Sequence, residues 1–240
     1  MKKLSLVALI IVSLILSASV FALEAPNPAG NPPDYYLESD GTITMRSEMG
    51  QLGDMGIMSD GDMRISPFET ITRGEMARII TQIDGYDDLE VFKITGEKKT
   101  CDFIDVSSKN PYFSSINYVS AQGIKIMNGY GNDLFLPDKD ITYSEAVKTI
   151  ITALGYEPLA LQKGGYPQGY LDVANELGII LYPHAEDHNI IGQELCDIIH
   201  KSLDVPLMKQ NGFGAVVSYV VMDGNNGTEL QTLRIMREAK

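Results

Sequence analysis

A mainly α-helical fold is predicted for this 240-residue chain: three helix–loop–helix repeats in a pseudo-threefold bundle, followed by a short C-terminal β-hairpin. Three observations carry that expectation. First, Ile116 to Glu157 reads as helix, glycine-rich loop and helix, and the pattern recurs once upstream and once downstream. Second, aligning the copies on Gly56, Gly123 and Gly178 puts Met49, Ile116 and Leu171 at one offset, and Leu52, Val119 and Ala174 at another. The residue after the glycine is Ile57, Ile124 or Ile179, so every aligned position is apolar. Third, the second helices align without a gap from Glu75, Glu145 and Glu194 to stops at Gly85, Gly155 and Asp204, with Ile80, Ile150 and Ile199 in one core slot. A two-helix unit cannot bury its own apolar stripe, so stacked copies are expected to share a core.

In chain order, residues 1–22 read as an export signal. Lys2 and Lys3 form its basic start, Leu4 to Leu16 is almost wholly apolar, and Val20 and Ala22 are small residues at the positions a signal peptidase reads. The competing reading, an uncleaved anchor, meets an apolar core short of the roughly 20 residues a spanning helix needs. The mature chain is expected to begin near Leu23 and to have no stable membrane anchor. Residues 23–40, with four prolines and few apolar residues, read as a flexible leader.

The first repeat, 41–96, has its short helix ahead of Gly56. Its second helix starts at Thr72 and Glu75, a Ser/Thr-x-x-Glu capping box in which hydroxyl and carboxylate satisfy each other's backbone amides. The second repeat, 97–158, repeats the box at Thr142 and Glu145, carries Val147, Ile150, Ile151 and Leu154 at helical spacing, and stops at Gly155. The loop NGYGNDLFLPD joins its helices. The third repeat, 159–206, is degenerate: Ile191 stands where the cap Thr would be, and its loop shrinks to LYPHAEDHN. In the tail, 207–240, Ala215 to Met222 and Glu229 to Met236 read as strands around the turn residues Asp223 to Gly227. An isolated hairpin is marginal in water, so it either packs on the helices or begins a further β-rich region.

The formal charge is −13, and loss of Lys2 and Lys3 with the signal takes it to −15. Such a surface repels phosphate backbones, which argues against nucleic acid as a partner. Cys101 and Cys196 sit in different repeats; export permits a disulfide, while a small buried side chain is the plainer reading of Cys196. His184 and His188 lack the glutamate directly after the first histidine that a metalloprotease helix requires. The acidic run from Asp133 to Glu145 does not fit a calcium loop. No nucleophile elbow and no singled-out carboxylate pair is present, so neither an enzyme nor a cofactor is expected. Arg73 directly follows the cap Thr72, at a helix start whose free amides are expected to favour anions.

Several stretches resemble the S-layer homology family. ITRGE at 71–75, ITYSE at 141–145 and the GI…NGYGNDLFLP run resemble that family's ITRAE and GI-NGY-DGTF-P signatures, and FIDV at 103–106 resembles its FxDV opening. The resemblance spans roughly residues 40–206. It implies an exported, non-catalytic module that holds a secondary cell wall polymer in grooves between repeats, anchoring itself or a partner at the wall. That polymer carries acidic pyruvyl groups in many family members, and other surface proteins are implied as further partners. The implied glycan-binding residues are Arg73, Thr72, Gly61, Asp105, Asn128, Gly129, Gly131 and Tyr112. Arg73 matches the arginine most associated with the acidic sugar; without the family, a surface arginine paired with a neighbour such as Glu69 is the plainer reading. Tyr143 and Gly192 stand at the aligned positions of the other repeats. The family's Trp after FxDV is absent; Tyr112 or Phe113 stands there, either as a flat surface for a sugar ring or as core packing. The alternative function is a structural or protein-interaction subunit on the same scaffold that has lost its glycan grooves.

Overall fold

The computed structural model describes residues 35–37, 43–45, 47–58, 65–86, 101–181, 187–211, 218–225 and 227–239; the signal segment 1–22, Gly61 and His184 lie outside them. The chain divides into two units, 1–47 and 48–240. In the first, strand β1 (Tyr35–Leu37) pairs antiparallel with β2 (Ile43–Met45), Tyr36 opposite Thr44. The segment read as a flexible leader therefore contains a strand. Its prolines stop at Pro33, and the tyrosines after them favour extended backbone.

The second unit is mainly helical. In order it contains α1 (Ser47–Asp54), α2 (Arg73–Ile83), α3 (Phe113–Ser120), α4 (Tyr143–Ala153), α5 (Glu157–Gln162), α6 (Gln168–Glu176), α7 (Gly192–Ser202), strands β3 (Met208–Asn211) and β4 (Ser218–Val221), and α8 (Leu233–Glu238). Helices α2 and α4 begin alike: Thr72 and Thr142 each accept from the amide of the glutamate three residues on, whose carboxylate accepts from the threonine amide. At α7 half of the box is present, because Ile191 N donates to Glu194 Oε2 at 3.1 Å but Ile191 has no hydroxyl to return. Gly155, at φ 84°, closes α4 in the left-handed region. A Cβ there would lie 2.0 Å from the Met208 carbonyl oxygen, so the same glycine lets β3 approach the helix end. Met208 N completes the contact by donating to Leu154 O at 3.0 Å.

The aligned core residues are inside. Ile80, Ile150 and Ile199 are each 1% exposed or less, as are Leu52, Ile57, Ile116, Val119, Ala174 and Ile179, and Leu171 is buried with them. Met49 and Ile124 are half-buried at the margin of the same cluster. The residues leading into α2, α4 and α7 hold one another through main-chain bonds. Ile141 N donates to Ile71 O at 2.8 Å, Ile71 N to Ile190 O at 3.0 Å, and Ile190 N to Ile141 O at 3.1 Å, closing a ring. Two positions on, a second set links the same three segments in the opposite sense: Arg73 N to Lys139 O, Tyr143 N to His188 O and Gly192 N to Glu69 O. Gly192 fits because a Cβ would meet Ser66 O at 2.2 Å.

The tail holds the expected short antiparallel hairpin but with a different pair of strands. Strand β4 lies within the first predicted strand, but its partner is β3, with Lys209 opposite Val220, and Glu229 to Met236 forms no strand. Thr232 caps α8 instead, its Oγ1 accepting from Ile235 N at 3.2 Å. The run after it, Leu-Arg-Ile-Met-Arg-Glu, is rich in good helix formers, a signal that the apolar alternation concealed. Gln231 still pairs with the strand region, donating to Met222 O and accepting from Leu207 N. Helix α8 then clasps two helix ends. Leu233 is buried, Arg234 forks onto Asp204 just past α7, and Arg237 donates to Met55 O just past α1. Cys101 and Cys196 are both free thiols, the second in the core.

The cap geometry generates a stability prediction. Thr142→Ala should cost about 1 kcal/mol, and Ile191→Thr should gain a few tenths to about 1 kcal/mol by completing the third box. Urea denaturation of both variants measures this; an unchanged midpoint in Thr142→Ala would count against the cap.

Candidate functional site

Arg73, the first residue of α2, is only 6% exposed. Its guanidinium crosses to the glycine-rich loop that precedes α4 rather than pairing with Glu69. Nε donates to Phe135 O at 2.8 Å and Nη2 to Asn128 O at 2.8 Å. Its Cζ lies 4.8 Å from the centre of the Phe135 ring and 5.2 Å from that of Tyr130, within cation–π range. A buried cation needs such partners, because stripping its water is costly. Burial pushes the Arg73 pKa down while the Glu145 carboxylate opposes that shift; a guanidinium stays charged regardless.

The loop that receives Arg73 is shaped by residues in the left-handed region: Gly131 at φ 94°, Asn132 at 52°, Asp133 at 58° and Leu136 at 60°. For Leu136 that conformation is strained, and Asp105 holds it. Phe135 N donates to Asp105 Oδ1 at 2.9 Å and Leu136 N to Oδ2 at 2.7 Å. Gly129 allows the Phe103 ring to close beneath the loop, since a Cβ would sit 2.6 Å from that ring and 2.9 Å from Leu134 O.

Beside Arg73 a groove of about 170 Å³ opens, lined by Asn128, Gly129, Tyr130, Glu145, Lys148, Thr149 and Tyr166 among others. Tyr130 forms its lip: Lys139 Nζ donates to the Tyr130 hydroxyl at 2.8 Å, and that hydroxyl lies 3.3 Å from Glu145 Oε1, to which it donates. Across the groove, Lys148 Nζ lies 5.7 Å from the Tyr166 ring and 5.9 Å from Tyr170.

Of the residues expected at a site, Arg73, Asn128 and Gly129 come together in this groove. Thr72 is spent as a cap, Asp105 supports the loop from behind, and Gly131 turns it. Tyr112 packs on Gly74, where a Cβ would lie 2.3 Å from its ring, and does not line the groove. Gly61 lies outside the described residues. The amides at the start of α2, expected to be free for an anion, are taken: Arg73 N by Lys139 O, Gly74 N by Pro137 O and Glu75 N by Thr72 Oγ1. Any attraction for anions must come from side chains. Sequence reasoning missed Tyr130, Lys148 and Tyr166. Lys148 carried a signal, since it sits three residues past the capping Glu145 on the same helix face; Tyr166, in a non-periodic join, carried none.

The position aligned with Arg73 on α4 has a different setting. Tyr143 stacks on His188 with ring centres 5.4 Å apart, and His188 Nε2 lies 2.9 Å from Glu194 Oε1. Burial, then Glu194 and Asp197, push the Tyr143 pKa up to about 12. Its surroundings are acidic.

The two hydrogen bonds that Asp105 accepts generate a second prediction. Removing an ionised acceptor from two amides of a strained loop, at roughly 1.5 kcal/mol each or more, should make Asp105→Ala lose on the order of 3 kcal/mol. Chemical denaturation should show a larger loss than for Thr142→Ala; an equal or smaller one would contradict the strut.

Residues 102–147 match the sequence family described as S-layer homology domain. The match contains Asp105, the glycine-rich loop and Glu145, and excludes Arg73 and Lys148. The chain is also similar to three longer proteins. It is 29% identical over 153 residues to the Middle cell wall protein of Brevibacillus brevis (strain 47 / JCM 6285 / NBRC 100599), covering 64% of this chain and 14% of that protein. It is 26% identical over 194 residues to the Cell surface protein of Thermoanaerobacter kivui, covering 80% and 24% respectively. To the Surface layer protein of Brevibacillus choshinensis it is 29% identical over 158 residues, covering 65% and 13%. The chain thus spans between 13% and 24% of the length of these relatives. With the loop, its aspartate strut and the capped helix start all inside the matched stretch, this chain carries an S-layer homology domain at residues 102–147.

Proposed function

We propose that this chain is an exported, non-catalytic module of the bacterial cell surface, and that it anchors itself or a partner by holding an acidic glycan of the cell wall in the groove beside Arg73. The S-layer homology domain and three relatives named as cell wall, cell surface and surface layer proteins support the surface role. Within that role the helical body is read as three helix–loop–helix units about a pseudo-threefold axis, the third degenerate. The ring linking Ile71, Ile141 and Ile190 supports this reading.

One observation carries the glycan assignment. Arg73 is buried and rigidly held, yet lines an open groove, and only two of its five N–H groups are engaged by protein among the described residues. The remaining donors suit a carboxylate, such as a pyruvyl group on a secondary cell wall polymer, through a charge-assisted bond. In a chain of formal charge −13 an anionic ligand gains little from the overall field, so this contact dominates. Other surface-layer proteins are partners of the anchored assembly in this reading, and nucleic acid is not.

A second reading has an observation of its own. The bonds from Arg73 to Phe135 O and Asn128 O tie α2 to the loop before α4; on a scaffold that no longer binds glycan, Arg73 would be a strut alone.

Co-sedimentation with protein-free walls of the producing bacterium separates the two. Loss of a charge-assisted contact worth about 1.5 to 3 kcal/mol lowers affinity roughly tenfold to a hundredfold. Arg73→Ala should therefore leave the wall fraction, Arg73→Lys should recover little because ammonium lacks the planar fork, and Tyr143→Ala should sediment like the parent. Circular dichroism checks that each variant is folded. Wall binding by folded Arg73→Ala equal to that of the parent would hand the case to the scaffold reading.

A further inference from the structure

The groove contains a cation that the reading above does not use. Lys148 lines it from α4, one turn beyond Glu145. Glu145 is its natural helical partner at that spacing, but that carboxylate is committed elsewhere: Oε2 accepts from Thr142 N and Oε1 from the Tyr130 hydroxyl. Glu157 is committed too, accepting from the Tyr170 hydroxyl at 2.9 Å. No carboxylate among the described residues pairs with Lys148, although the chain has 32 acidic residues against 19 basic ones. Its Nζ instead lies over the Tyr166 and Tyr170 rings. Tyr166 is 48% exposed and presents a flat apolar face at the groove's edge.

Equivalent positions on the other capped helices differ. Taking the position of Arg73 with that of Lys148 on the next helix gives two cations here, Tyr143 with Asp197 between α4 and α7, and Gly192 with Arg78 between α7 and α2. Only the first combination offers two positive charges, and the second offers a negative one. At about 170 Å³ the groove is also smaller than the roughly 300 Å³ at which pockets begin to enclose a whole ligand. It can cover only part of a polymer, so selectivity must come from fixed charged points.

We propose that Lys148 is a second anion-binding point of this groove, and that the ligand is a glycan segment with two acidic groups, one held at Arg73 and the other at Lys148, with a sugar face on Tyr166. This rests on the reading of the groove as a glycan site. It adds what that reading leaves open: the spacing of two charges as the recognised feature, and one such site per chain.

The test is calorimetric titration of the whole chain with two fragments cut from the purified wall polymer, one with a single carboxylate and one with two. The parent should bind the two-carboxylate fragment about tenfold more tightly or better, at one fragment per chain. Lys148→Gln should lose that advantage while binding the one-carboxylate fragment within about twofold of the parent, and Lys148→Arg should keep most of it. Equal binding of both fragments by the parent, or a Lys148→Gln variant that matches the parent on both or is weakened equally on both, overturns the proposal. Arg73→Ala tells the two levels apart. If it loses both fragments while Lys148→Gln behaves as the parent, only the second point falls; if it keeps both, the glycan groove falls and Lys148 with it.

Discussion

Three amide-to-carbonyl bonds, from Ile141 to Ile71, from Ile71 to Ile190 and from Ile190 to Ile141, set where everything else in the helical unit must lie. Each isoleucine immediately precedes the N-cap of a helix and is 1% exposed or less, so its backbone has no water to fall back on. Breaking one link would strand a buried donor and acceptor, at about 1–3 kcal/mol for each group left unsatisfied. The side chains serve the same end, since β-branched residues suit the extended backbone that such pairing needs. Because the ring fixes three helix starts together, it also orients the first helical residue after each N-cap. That residue points toward structure contributed by a neighbouring segment, which is why Arg73 meets a loop more than fifty residues downstream.

A positive charge at that position serves two ends. Toward the protein, the guanidinium satisfies two carbonyl oxygens and lies against two aromatic faces. In the proposed function, the donors those two bonds leave unengaged are the ones a ligand in the groove would meet. The loop is held just as firmly: Asp105 spans two consecutive amides, and Phe103 packs on Phe135 with ring centres 5.3 Å apart. Ligand binding to such a site requires little ordering of flexible groups, so less of each contact's free energy is lost to entropy.

How far the sequence could be read depends on the kind of interaction behind each feature. The helices were legible because capping boxes and apolar spacing are local: Thr72, Thr142 and their glutamates act within four residues. Arg73 was singled out by resemblance, but its burial was not foreseeable, because its partners Phe135 and Asn128 are distant in sequence. The tail was misread where local signals conflicted. Apolar alternation from Glu229 to Met236 suggested a strand, and the cap at Thr232 with the buried anchor Leu233 decided for helix. Tyr112 was placed at a site by its neighbours in the motif, and close packing on Gly74 took it away. Lys148 was visible but unremarkable; its meaning depended on knowing that Glu145 was committed to Thr142 and Tyr130.

Electrostatics ties these points together. A chain of formal charge −13 disfavours anions wherever its charge is unstructured, and under the proposed function that confines anion binding to the one place where cations gather. Around the groove three cations, Arg73, Lys139 and Lys148, gather beside the Glu145 carboxylate, while Asp105 and Asp187 act on the lining residues Arg73 and Tyr166 from further out. Around Tyr143 the balance is reversed: burial first, then Glu194 and Asp197, raise the cost of ionising its phenol. Tyr143 and Asp197, standing at the positions that align with Arg73 and Lys148, do more than omit two cations, since the carboxylates there repel an anion. In the proposed reading, selectivity for the groove beside Arg73 therefore rests as much on the acids around Tyr143 as on the bases around Arg73.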